Sequence, residues 1–64
     1  MRFNENLKYL RKEKGLTQEK LAEKLNVSRQ SVTKWETGKS LPDLENIKEL
    51  SHIFCVSIDL LVGN

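Results

Sequence analysis

Apolar residues recur at spacings of three and four along almost the whole chain. That spacing gathers them on one face of a helix, whereas a strand would need strict alternation, which is absent. Phe3, Leu7 and Leu10 predict a first helix, which Asn4 can cap and Gly15 ends. Thr17 caps a second, short helix with Leu21, Ala22 and Leu25 inward. Asn26 follows where the chain must turn sharply, and Asn tolerates the left-handed conformation better than most residues. Ser28 caps a third helix with Val32 and Trp35 inward, and Gly38 stops it. Lys39 to Pro42 read as a loop, because Pro42 cannot continue a helix yet suits the start of the next. Leu44, Ile47, Leu50 and Phe54 make a fourth stripe, and Ser57 caps a last turn from Ile58 to Leu61.

The expectation is all-α: five helices joined by connections of about two to six residues, a compact bundle. With 64 residues the chain reads as a single domain, 1–64, whose core is small enough that every stripe must be used. The lone cysteine, Cys55, leaves no disulfide framework, which fits a reducing compartment. The uncharged run from Ile53 to Ile58 is too short to span a bilayer, and no apolar segment near Met1 reads as a secretory signal. A soluble, cytoplasmic protein is expected.

Net charge is only +2, but it is unevenly spread. Residues 24–40 carry four Lys/Arg against one acidic residue, while residues 41–64 carry one against four. A positive excess centred on Arg29, Lys34 and Lys39 is how a one-sided face for a polyanion would look, although a solvated surface gives the same count.

Gln18 to Gly38 is the informative stretch. Two helices crossing steeply over a short turn need a small residue at the crossing, here Ala22. They need a residue tolerant of positive φ at the turn, here Asn26. They also need apolar residues on the inner face of the second helix, here Val32 and Trp35. Those are the requirements of a helix-turn-helix, which lays its second helix in the DNA major groove.

From Asn4 to Val62 the chain resembles the repressor/Cro-type (XRE-like) helix-turn-helix family. The resemblance is carried by Arg11 and Gly15, Leu16-Thr17-Gln18, Leu21-Ala22, Val27 to Val32, Trp35 to Lys39 and Val56 to Asp59. It implies the lambda-repressor-like five-helix fold and sequence-specific binding of double-stranded DNA by a transcriptional regulator, read here as a repressor. It also implies a symmetric dimer on a palindromic operator, and because the isolated interface would be small the dimer is expected to be weak in solution. The base-reading positions it implies are Arg29, Gln30, Thr33 and Lys34. Their chemistry suits base recognition, since Arg grips a guanine edge, Gln an adenine edge, Thr offers a methyl to thymine, and Lys reaches guanine or phosphate. The residue matching Gln18 binds phosphate in this family and buttresses the one matching Arg29. Free N–H groups at that helix start also favour an anion. Ser28 and Lys39 are further phosphate candidates. Arg11 and Glu36 match an internal ion pair that ties the first helix to the third. Ile58 and Leu61 match the dimer contact, bordered by Leu41 and Pro42, and at least one of the two is expected to be ordinary core.

The chain departs from the family at Ser51, where Ala is usual, and at Cys55, where Gly or Asn is common, so Cys55 is expected in a strained backbone angle. The loop after Gly38 lacks the Arg that some relatives send into the minor groove. No catalytic chemistry is legible: there is one His, no nucleophile beside a base and no phosphate-cradling Gly loop. His52 and Cys55 alone do not make a metal site, and no cofactor or small-molecule ligand is expected. The competing reading is a helix-turn-helix used for protein contact, as in an antitoxin component whose main role is binding a protein partner.

Overall fold

The computed structural model describes residues 3–63. Five helices follow in order: α1 (Phe3–Glu13), α2 (Gln18–Leu25), α3 (Arg29–Glu36), α4 (Leu44–Phe54) and α5 (Ile58–Val62). The described residues form no strand. The body measures 26 × 23 × 20 Å.

Local chemistry sets the helix boundaries. Thr17, Ser28, Asp43 and Ser57 each sit in extended backbone, and the side chain of each accepts the N–H three residues on. That satisfies one of the N–H groups a helix start leaves orphaned. Among the left-handed residues that close helices are Gly15 (φ 72°), Asn26 (φ 58°), Gly38 (φ 77°) and Cys55 (φ 55°). Each closes with the same pair of bonds, as in Val27 N–H to Ala22 O at 3.0 Å with Asn26 N–H to Glu23 O at 3.1 Å. Cys55 therefore does hold the strained angle expected of it.

One core unites the helices. Phe3 and Leu7 from α1, Leu21, Ala22 and Leu25 from α2, and Val32 and Trp35 from α3 meet Leu50 and Phe54 from α4 and Leu61 from α5. α2 packs against α3 and α4, and α1 against α3 and α5. Trp35 is 5% exposed, so it belongs to the core rather than to a surface.

Three expectations change. Asn4 lies inside α1 and caps nothing, because the helix already runs at Phe3. Leu44 is 64% exposed, although it lies on the stripe of Ile47 and Leu50. Burial rises along that stripe from exposed Leu44 through half-buried Ile47 to fully buried Leu50, so the first turn of α4 projects past the core. Leu61 has no exposed surface. A side chain without accessible area cannot form a contact between copies in this conformation, so Leu61 is core and Ile58 alone of that pair faces outward.

Candidate nucleic-acid interface

The outward face of α3 is built by subtraction. Val32, Trp35 and Glu36 are buried and anchor the helix, which leaves Arg29, Gln30 and Lys34 to turn toward solvent. Arg29, Gln30 and Lys34 are exposed, and Thr33 is half-buried. With Thr37 and Lys39 these side chains line an open depression of about 550 Å³. All four expected base-reading residues and Lys39 are thus brought together on one surface. Thr37, which the sequence pattern does not single out, joins them. It is anchored by its hydroxyl, which donates to the Thr33 carbonyl at 2.9 Å.

Ser28 is committed to the start of α3. Its Oγ accepts the Ser31 N–H at 3.1 Å and lies 3.1 Å from the Ser31 hydroxyl. Lys39 follows Gly38 (φ 77°), and its N–H donates to the Lys34 carbonyl at 2.9 Å, so the residue is fixed at the C-terminal end of the same helix.

Behind this face lies a buried ion pair. Arg11 Nε donates to Glu36 Oε2 at 2.6 Å and Arg11 Nη2 to Glu36 Oε1 at 3.1 Å, a two-pronged grip. The two residues are 8% and 7% exposed. The third guanidinium nitrogen, Nη1, donates to the Leu16 carbonyl at 2.8 Å, while the Leu16 N–H donates back to the Arg11 carbonyl at 3.0 Å. One arginine therefore ties α1 to α3 and closes the α1–α2 connection. Among the described residues no buried side-chain polar atom lacks a partner.

Gln18 opens α2 beside Arg29, and both line a second depression of about 340 Å³ with Arg11, Thr17 and Glu19. Its hydrogen bonds, however, go elsewhere than to Arg29. Gln18 Nε2 donates to Glu36 Oε1 at 3.1 Å, and Gln18 Oε1 accepts from the Thr33 hydroxyl at 3.0 Å. The buttress runs to Thr33 rather than to Arg29. No spacing rule along one chain reveals a bond that depends on how α2 and α3 cross.

Ile58 (38% exposed), Leu60 (56%) and Tyr9 (62%) show apolar surface on α5 and α1. Asn6 holds these helices together, its Nδ2 donating to the Leu60 and Leu61 carbonyls at 3.2 and 3.3 Å. No helix among the described residues is long and apolar enough to cross a membrane.

Comparison with known proteins places this geometry. Over 63 residues, 98% of this chain, it is 53% identical to the HTH-type transcriptional activator BcrR of Enterococcus faecalis, of which it covers 31%. It is 35% identical to the cryptic phage CTXphi transcriptional repressor RstR of Vibrio cholerae, over 98% of this chain and 56% of that one. A crystal structure of a transcriptional regulator from Listeria innocua matches with a TM-score of 0.92 at 44% identity, over 97% of this chain and 58% of that one. The chain thus spans between about a third and three fifths of these relatives. The helix-turn-helix family model matches residues 7–61, taking in the capped turn at Asn26, the ion pair and all of α3. With sequence pattern, backbone and buried pair in agreement, the chain belongs to the XRE-like helix-turn-helix family.

Proposed function

We propose that residues 1–64 act as one DNA-reading domain of a transcriptional regulator, binding double-stranded DNA sequence-specifically with α3 in the major groove. The observation that carries this reading is the single exposed face on which Arg29, Gln30, Lys34 and Lys39 converge, on a helix held from behind by the Arg11–Glu36 pair. A recognition helix needs that combination, since base contacts reward only side chains delivered in fixed register. Arg29, Gln30, Thr33 and Lys34 read base edges; Gln18, Ser28 and Lys39 hold phosphate. The protein works where the DNA is, in the cytoplasm.

A single module reads only a few base pairs, too few for specificity against a genome. We therefore read the working unit as a symmetric pair on a palindromic operator, with half-sites about 34 Å apart. The exposed Ile58 on α5 is the candidate contact, and the surface is small enough for a dimer that is weak until DNA joins it. The sign of regulation does not follow from this domain, since its relatives include one named an activator and one named a repressor. Repression is the reading kept here, in which a bound domain blocks its own operator.

Selection of preferred sites from random duplex DNA at fixed salt tests the proposal. An enriched palindrome, bound with an affinity that falls steeply as salt rises, is the expected result. A pool that stays random after selection would overturn it.

A further inference from the structure

Thr33 is the one residue of the reading face whose side-chain polar atom is already spent on a neighbouring helix. Its hydroxyl donates to Gln18 Oε1 at 3.0 Å, and Gln18 Nε2 donates to Glu36 Oε1 at 3.1 Å. Glu36 is in turn gripped by Arg11. The bonds form an unbroken chain from α1 through α3 and α2 back to the outer face of α3. Its inner end is buried and its outer end lines the depression with Gln30 and Lys34.

Resting on the DNA-reading function above, we infer that Gln18 is a positioning residue for Thr33, and that Thr33 reads thymine through its methyl group alone. Threonine has two heavy branches on Cβ, and in a helix it splits between two rotamers according to what its hydroxyl bonds. The bond to Gln18 selects one of them. With the hydroxyl turned to α2, the branch left for the exposed face is the methyl. A methyl fits the 5-methyl of thymine and has no preference among hydrogen-bonding base edges. The amide of Gln18 suits the link because it donates and accepts at once. A carboxylate there would have no proton for Glu36, and an alkyl chain would hold neither partner. The rotamer of a reading residue is thus set by the same buried pair that docks α3.

The experiment uses the selected operator with each thymine replaced in turn by deoxyuridine, which removes only the 5-methyl. The wild-type chain should lose about three- to fivefold in affinity at one position of each half-site, the worth of one buried methyl-sized group. Thr33→Ser keeps the hydroxyl and loses the methyl, so it should bind the two duplexes alike. Gln18→Ala should also level that ratio. If Gln18 holds a phosphate as well, its removal weakens both duplexes equally and cancels in the ratio. Gln18→Met, which keeps the length and loses both bonds, replaces Gln18→Ala if the latter unfolds. A DNA-free readout accompanies these: scalar couplings about the Cα–Cβ bond of Thr33 should report one rotamer in the wild type and an average in the Gln18 variants. Thr33→Ser retaining the thymine preference would overturn the methyl reading. A Gln18 variant with wild-type ratio and couplings would overturn the positioning role. If no site is selected at all, the DNA-reading function falls and the methyl reading with it, while the couplings still decide whether Gln18 holds Thr33.

Discussion

Two joints in this chain are built from the same three backbone steps. Between α2 and α3 the residues are Asn26, Val27 and Ser28; between α4 and α5 they are Cys55, Val56 and Ser57. The left-handed residues lie at φ 58°, ψ 43° and φ 55°, ψ 43°. The serines lie at φ −77°, ψ 153° and φ −71°, ψ 157°, and each accepts the N–H three residues on. Both valines are half-buried and pack against the core. What differs is the helix each joint delivers. α3 turns Arg29, Gln30 and Lys34 outward, whereas α5 turns out Ile58, Asp59 and Leu60. The two joints share one geometry, and what differs is the outer face of the helix that follows, charged and polar on α3 and largely apolar on α5.

The largest effect should come from what holds only the first joint. Its α3 leans on the Arg11–Glu36 pair, and α5 has no ionic counterpart among the described residues. Removing one member of a buried pair leaves its partner's charge uncompensated, at a cost of about 3–5 kcal/mol. In a domain this small that is most of the stability. Arg11→Met should therefore leave the chain largely unfolded near 37 °C in a circular-dichroism melt. Glu36→Gln should destabilise less, because the amide still accepts from Arg11. The double variant should lose less than the sum of the two. Strictly additive losses would mean that the two residues do not act as a pair.

How far this division is legible in the sequence follows from the range of each interaction. Thr17, Ser28 and Ser57 can be read as caps because capping is local: a hydroxyl followed by an apolar-periodic run. Asn26 can be read as a turn for the same reason, but Cys55 only through the resemblance, since nothing in a cysteine points to positive φ. Leu44 misleads because periodicity fixes which face of a helix a residue takes, not where along its length the core begins. Asp43 is hidden as a cap because Pro42 draws the boundary first. The bonds from Gln18 to Thr33 and Glu36, and from Asn6 to α5, join residues 15 to 55 apart, and no local pattern encodes them. At the candidate site, residue types, their helix face and, through the resemblance, the Arg11–Glu36 pair are legible; the bonds of Gln18 to Thr33 and Glu36 are not.

Next in size is a pair of variants that should separate the two helices' roles. Gln30→Ala on α3 should cost about 1–3 kcal/mol on the preferred site and relax selection at one or two base pairs. Far-UV circular dichroism should be unchanged, since Gln30 is exposed. Ile58→Glu on α5 should do the reverse, leaving half-site affinity intact and removing cooperative binding to the full palindrome. The glutamate falls in the first turn of α5, where a negative charge is tolerated. Cooperative binding that survives Ile58→Glu would move the dimer contact to another surface. Equal weakening of Gln30→Ala on all sequences would take Gln30 off the bases.

Lys39 tests the edge of the reading face. Lys39→Ala should weaken binding to every sequence alike and lower the slope of log K against log salt by about one unit. A slope equal to wild type would remove Lys39 from the interface.

The smallest effect bears on the joints themselves. Asparagine visits the left-handed region at low cost, because its short polar side chain can bond locally. Cysteine has only a weak substitute, the Sγ of Cys55 lying 3.7 Å from the His52 carbonyl. The cost of a left-handed L-residue is about 1–2 kcal/mol. Glycine removes it but loses more backbone entropy on folding, about 0.5–1 kcal/mol. The net gain for Cys55→Gly should be about 0.5–1 kcal/mol, or a rise of a few degrees in Tm for a domain of this size. Asn26→Gly relieves less strain at the same entropic cost, so its change should lie within a few tenths of zero or be slightly destabilising. Reversible thermal melts under reducing conditions, run on both variants side by side, measure the difference directly. If Cys55→Gly gains no more than Asn26→Gly, the second joint carries no more strain than the first, and the two are equivalent in energy as well as in shape.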